Sequence, residues 1–276
     1  MGKQDSYQEQ LKKFQNICDI AVKKYPIFTG AKVKLLNYSE NATYLVEQPT
    51  AEKYILRVCR PGYHTKKQIE YEMKFIDSIS KSSDVVVSPA IVGGNGEIVQ
   101  EVELDGTTYY CNAFEYLEGD APNEDNEAEL VQQFESLGEV TAKLHNHSYQ
   151  NWQTFQQFDR LAWDFDAILG PTPKWGRWQD GLGMTEERKK LFEAVSKKID
   201  DRLKKFGKSP ERYGLIHGDL RSANLLVDNN QIKVIDFDDC GFGWYLHDLG
   251  TALSFIEHKP YVPDLIEAWV KGYRKV

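Results

Sequence analysis

Apolar positions along the chain recur at two spacings, and the balance between them changes near residue 117. Residues 5–24 carry Leu11, Phe14, Ile17, Cys18 and Ala21 at intervals of three and four, which predicts an amphipathic helix. Strand signals follow at 31–38 (AKVKLLNY), 42–48 (ATYLVEQ) and 53–60 (EKYILRVCR). A helix is expected over 65–80, with Ile69, Met73, Phe75, Ile76 and Ile79 on its apolar side. Runs at 90–92 and 97–104 flank Gly93-Gly94-Asn95-Gly96, which predicts a hairpin. An aromatic-rich strand is expected at 107–116.

Residues 117–126 (LEGDAPNEDN) are acidic and contain Gly and Pro, which suits a linker. Helical periodicity dominates afterwards, at 127–147, 184–206 and 261–274. Two short apolar runs, 213–217 and 231–237, are expected to pair as a hairpin among these helices. The segment 148–182 is the least regular and holds Trp152, Trp163, Trp175 and Trp178. The pattern predicts an α+β chain of two lobes: 1–116 with a small antiparallel sheet, a hinge at 117–126, and a mainly helical 127–276.

Composition narrows the function. The 276 residues can bury a sizeable core, and no run approaches the roughly 20 apolar residues that span a bilayer. The start lacks the apolar stretch of a signal peptide, so a cytoplasmic protein with no membrane partner is expected. MGKQDS does fit the loose pattern for N-myristoylation. The four cysteines have no paired spacing, which argues against a zinc site and against disulfides. A net charge of −8 argues against a nucleic-acid-binding surface. Composition is silent on oligomeric state.

The chemistry is concentrated in His217-Gly218-Asp219-Leu220-Arg221-Ser222-Ala223-Asn224 and, after a short apolar run, Val234-Ile235-Asp236-Phe237-Asp238. Taken singly, Asp219, Asn224 and Asp236 could be a turn residue, a cap and a strand end. Together they provide a carboxylate to orient a hydroxyl and take its proton, and two oxygen donors suited to magnesium. Phosphoryl transfer needs this positioning and charge screening rather than covalent chemistry from the protein.

This HGDxxxxN pattern with a following IDFxD run resembles the aminoglycoside phosphotransferase and choline kinase family. The resemblance implies a protein-kinase-like fold, ATP and Mg2+, and a small-molecule alcohol as acceptor. It covers the strand and helix order from residue 31 to about 257. Protein kinases carry Arg where Gly218 stands and Gly where Asp238 stands, so the small-molecule branch fits better. The resemblance implies that Asp219 is the base, that Asn224 and Asp236 are metal ligands, and that His217 and Asp248 are structural. A cation for the nucleotide phosphates belongs in the third strand, at Arg57, with Glu72 as partner and Glu70 as competitor. No GxxxxGK[ST] or GxGxxG occurs, so Ser39 and Asn41 are the candidates to cover the phosphates. Backbone groups around Glu115 and Leu117 are expected to meet the adenine.

The acceptor is expected beside 148–182, with Asp164, Trp163, Trp175, Trp178 and Asp239 as candidate contacts. Aromatic faces and carboxylates suit a cationic amine, whereas Arg221 suits an acidic acceptor. The Trp residues could equally serve to pack an irregular segment. Hydroxy amino acid, amino-alcohol and aminoglycoside acceptors all remain open. A protein Ser/Thr kinase of the stress-response type is the alternative, since Asp238-Asp239-Cys240 is similar to its motif, and a nucleotide-binding pseudokinase is a third reading. The resemblance also implies further helices after the DLGTAL region, whereas this chain stops at Val276 within a predicted helix.

Overall fold

The computed structural model describes residues 7–276, so the MGKQDS pattern and the first positions of the expected 5–24 helix lie outside it. The chain divides into two compact units. One ends at Asp120 and also takes in Lys233–Ile235, and the other is Ala121–Ile232 with Asp236–Val276.

In the first unit, helix α1 (Tyr7–Val22) buries Phe14, Ile17, Cys18 and Ala21, the periodic face read from the sequence. It packs on a sheet of β1 (Lys32–Tyr38), β2 (Ala42–Glu47), β3 (Lys53–Val58), β5 (Ala90–Ile91), β6 (Gln100–Leu104) and β7 (Thr107–Glu115). Strand β2 alternates buried and half-buried positions, placing Ala42, Tyr44 and Val46 in a shared core with Leu56, Val58 and Cys111. Helix α2 (Lys66–Ser82) starts on a capping box in which Thr65 and Gln68 satisfy each other's backbone N–H. It buries Ile69, Glu72, Met73, Phe75, Ile76 and Ile79.

The expected hairpin at Gly93–Gly96 is corrected here. The glycine turn closes locally, with Gly93 N–H on the Glu97 carbonyl and Gly96 N–H on the Gly93 carbonyl, both at 2.9 Å. Strands β5 and β6 do not pair with each other, because both pair antiparallel with β7, at Phe114 and Ala113 and at Cys111 to Thr107. A short β4 (Val86–Val87) pairs in parallel with Lys233 and Val234.

The second unit is built on α3 (Glu127–Gln150) and α8 (Val262–Tyr273). Leu130, Phe134, Leu137 and Leu144 of α3 and Leu265, Ala268 and Trp269 of α8 are buried. The two helices touch at glycines. A Cβ on Gly138 would lie 2.0 Å from the Trp269 carbonyl oxygen, and one on Gly272 would lie 1.8 Å from that of Glu135. That close approach outweighs the helix-weakening tendency of glycine.

The segment 148–182 contains α4 (Trp152–Phe155), β8 (Leu161–Trp163) and α5 (Phe165–Ile168), followed by α6 (Glu186–Phe206). The second corrected pairing concerns β9 (Tyr213–Ile216), which does not pair with the 231–237 run. It is antiparallel to β12 (Gly241–Trp244), which is parallel to β8. The 231–237 run supplies β11 (Gln231–Val234), which follows β10 (Leu225–Asp228) through Asn229 and Asn230, both at positive φ. Helix α7 (His247–Ala252) and a turn lead to α8. Among the described residues no helix is long and apolar enough to cross a membrane.

Candidate active site

The pairing of β9 with β12 joins the two motif segments of the second unit. The loop carrying Asp219 leaves β9 after Ile216, the loop carrying Asp236 to Asp239 enters β12 at Gly241, and Ile216 and Gly241 face each other in register. Two loops separated in sequence thus end on one strand pair.

The Asp219 loop is held from beneath by Asp248. Its Oδ1 accepts the Gly218 N–H at 2.8 Å, and its Oδ2 accepts the His217 N–H at 3.2 Å and faces His145 Nε2 at 3.0 Å. Burial acts to raise the Asp248 pKa, but the hydrogen bond and charge of His145 and the Gly218 N–H hold it below the usual carboxylate range. The Tyr273 hydroxyl lies 2.9 Å from His145 Nδ1. Burial, and then the charge of Asp248, push that phenol up to about 12, so it stays protonated. His145 thus bridges Tyr273 and Asp248 through its two ring nitrogens. Leu220 N–H is held by Thr251 Oγ1 at 2.9 Å.

Gly218 has φ +85°, and a Cβ there would stand 2.6 Å from the Asp239 carbonyl oxygen and 2.7 Å from Trp163 Nε1. Only glycine satisfies both the backbone and the space. His217 is 1% exposed, its Nδ1 accepts the Asp219 N–H at 3.2 Å, and its ring packs on Phe237.

Asp219 is half-buried. Its Oδ2 accepts from Asn224 Nδ2 at 2.7 Å and from Arg221 Nε at 3.2 Å, and Asn224 Nδ2 also reaches the Asp219 carbonyl at 2.9 Å. Among the described residues no donor meets Asp219 Oδ1. Because the Asn224 amide nitrogen is engaged with Asp219, its Oδ1 is the atom left to act as an oxygen donor. Asp236 is exposed and sits in the left-handed region, φ +60° and ψ +68°, heading the short helical turn Phe237–Asp239. Such a backbone is uncommon outside glycine, asparagine and aspartate, and its occurrences cluster at working sites. Asn224 and Asp236 are both hard oxygen donors that fit a magnesium ion.

The acceptor candidates have structural occupations. Trp163 Nε1 donates to the Asp239 carbonyl at 2.8 Å, and its ring stacks on Trp175 at 4.3 Å and on His247 at 5.3 Å. Asp164 caps α5 through Ala167 N–H at 3.0 Å and pairs with Lys208 at 2.7 Å. Burial acts to raise its pKa, and Lys208 holds it below the usual range. Trp178 stacks on Phe192.

In the first unit, Arg57 is 4% exposed, and its Nη2 lies 2.7 Å from both oxygens of the buried Glu72. Glu70 is half-buried and Glu72 takes the pairing. Arg57 Nε donates to Asn112 Oδ1 at 3.3 Å, and the guanidinium lies over Phe114. Asn41 Oδ1 accepts the Arg60 N–H at 2.9 Å, which ties the exposed Ser39 loop to the end of β3. Glu115 N–H is engaged by the Pro89 carbonyl, and its carbonyl accepts from Ser88 Oγ. Leu117 lies two residues beyond the ladder.

Sequence reasoning passes over several supports. Arg160 is buried and donates to the Cys240 carbonyl at 2.8 Å and the Asp238 carbonyl at 2.5 Å, shaping the loop after Asp236. His145, Tyr273, Thr251 and Asn112 act likewise through long-range contacts that no local pattern announces.

The chain belongs to the phosphotransferase enzyme family, whose model matches residues 33–276. It is 41% identical to a structurally characterised microcompartment-associated aminopropanol kinase, with a TM-score of 0.85 over 95% of this chain and 80% of that one. It is 25% identical over 256 residues to the amicoumacin kinase of Bacillus subtilis (strain 168), covering 89% of this chain and 72% of that protein. An amicoumacin kinase solved in complex with AMP-PNP, Ca2+ and Ami shares the fold, at 21% identity, a TM-score of 0.76, and 98% and 80% coverage.

Proposed function

We propose that this phosphotransferase moves the γ-phosphate of ATP, with Mg2+, to the hydroxyl of a small amino alcohol. The observation that carries the chemistry is the asymmetric binding of Asp219. Oδ2 is clamped by Asn224 and Arg221, and Oδ1 meets no donor among the described residues. A carboxylate fixed on one side can take a hydroxyl proton on the other at the moment of transfer. The choice of acceptor rests on the 41% identity to the aminopropanol kinase.

In this reading Asn224 Oδ1 and Asp236 would hold the magnesium, which supplies charge screening for the phosphate oxygens. Arg57, aimed by Glu72, would bind the α- and β-phosphates, and the Ser39–Asn41 loop would cover them. The Glu115 carbonyl and Leu117 N–H would meet the adenine edge. His217 and Asp248 fix the backbone that carries Asp219. Trp163 and Asp239 would border the acceptor through their shared hydrogen bond, whereas Asp164 would contribute only by anchoring α5.

The test is a magnesium-ATP turnover screen over small amino alcohols, hydroxy amino acids, aminoglycosides, choline analogues and a generic protein acceptor. Turnover concentrated on small amino alcohols supports the reading. Phosphorylation of protein alone would replace it with the stress-response kinase type.

A further inference from the structure

Phe255 lies in the turn between α7 and α8, with φ +74° and 75% of its surface exposed. A left-handed backbone crowds the Cβ of a bulky L-residue against the neighbouring carbonyl, and an exposed aromatic ring forgoes burial. Both costs fall on one residue, and its position gives them a context. The Phe255 ring centre is 5.9 Å from the guanidinium carbon of Arg221, and Arg221 Nε is bound to Asp219 Oδ2 at 3.2 Å. Thr251, four residues before Phe255, holds the Leu220 N–H of the same loop at 2.9 Å.

Arg221 is thus fixed at Nε and flanked by an aromatic ring. Among the described residues no acceptor meets its two terminal nitrogens. A guanidinium held in this way presents its remaining N–H groups as a planar fork, the geometry that matches a carboxylate or phosphate. Stacking on an aromatic face orients such a fork without engaging its donors.

We infer that Phe255 seats Arg221 as an anion-binding fork beside Asp219, and that the two residues determine which acceptors and products the site holds. The anion is either the phosphoryl group on its way to the acceptor hydroxyl or a carboxylate carried by the acceptor. Phe255 acts through Arg221 and is a positioning residue. This inference rests on the phosphotransfer reading above.

Calorimetry with O-phosphoethanolamine, ethanolamine and serine tests it, on the wild-type chain and on Arg221→Gln, Phe255→Leu and Phe255→Trp. Thermal melts identify any variant that fails to fold. The wild type should bind an anionic probe about tenfold or more tighter than ethanolamine, the scale of one or two charge-assisted hydrogen bonds. Preference for O-phosphoethanolamine assigns the fork to the phosphoryl group, and preference for serine assigns it to an acceptor carboxylate. Arg221→Gln should erase the preference. Phe255→Leu, which keeps bulk and backbone strain but lacks the ring, should weaken it, and Phe255→Trp should keep it. An unchanged preference in folded Arg221→Gln and Phe255→Leu, or no anion preference in the wild type, overturns the inference. Failure of the phosphotransfer reading looks different: no acceptor is turned over, yet the binding preferences persist.

Discussion

Asn224 donates its side-chain amide to Asp219 twice, at 2.7 Å to the carboxylate and at 2.9 Å to the main-chain carbonyl. In the proposed reading, the residue that aims the base would therefore also be the one that offers its remaining oxygen to the metal. Asn224→Asp separates the two roles, because it keeps an oxygen donor but sets a second carboxylate against Asp219. Turnover should fall by about 10²-fold or more while magnesium-dependent nucleotide binding persists, and Asn224→Ala should weaken both. Calorimetry beside steady-state kinetics distinguishes these outcomes.

Asp219→Ala should retain nucleotide binding and lose about 10²- to 10⁴-fold in kcat, the usual contribution of a positioned base. Asp236→Ala should instead abolish the magnesium dependence of nucleotide affinity. The reverse pattern in calorimetry would sink the assignment of roles.

Arg57 and Glu72 form a buried pair, so removing one charge strands the other. Glu72→Gln should destabilise the fold by about 3–5 kcal/mol in urea unfolding, and Arg57→Met combined with Glu72→Gln should recover much of that loss. Full recovery of activity by the double variant would exclude Arg57 as a phosphate ligand.

Gly218→Ala meets two obstacles, a positive φ and a Cβ within 2.7 Å of both the Asp239 carbonyl and Trp163. The backbone conformation alone costs about 1–2 kcal/mol. Melting temperature and turnover should fall together, with a changed near-ultraviolet signal from Trp163.

Burial lowers the pKa of both His147 and His247, and Asp248 raises that of His247 in part. The unfolded chain then takes protons near the ordinary value of 6.5 that the folded chain refuses. Stability should be full above that value and decline as the pH falls below it. Asp248 and Asp164, both held below the usual carboxylate range, add a second loss below about pH 4. Chemical denaturation across pH 4–8 follows the first phase, and a flat profile from 7 to 5 would contradict it.

The sequence reveals most where one segment carries its own signal. The α1 and α2 faces, the strands around Arg57 and the Asp219–Asn224 spacing are all local patterns, and the structure keeps them. The two expected hairpins that the sheets do not contain share a cause: runs adjacent in sequence need not be adjacent in a sheet. Gly93–Gly96 does make a turn, but β7 is long enough to take β5 and β6 on one edge. Strand β9 finds its partner in β12, whose GFGW alternates strand-weakening glycines with strand-favouring aromatics and so gives a mixed local signal. Supports such as Tyr273, 128 residues from His145, depend on tertiary packing that periodicity does not encode.

The glycine contact between α3 and α8 has a genetic consequence. Tyr273 follows Gly272, and through His145 and Asp248 it is linked to the Gly218 N–H. A side chain at Gly138 or Gly272 would pry the helices apart and carry Tyr273 with them. In a blind selection for lost activity, both glycines would map as though they belonged to the catalytic loop. Because each added Cβ would strike main-chain atoms of the facing helix, smaller side chains nearby could not relieve it, and reversion to glycine should dominate among suppressors.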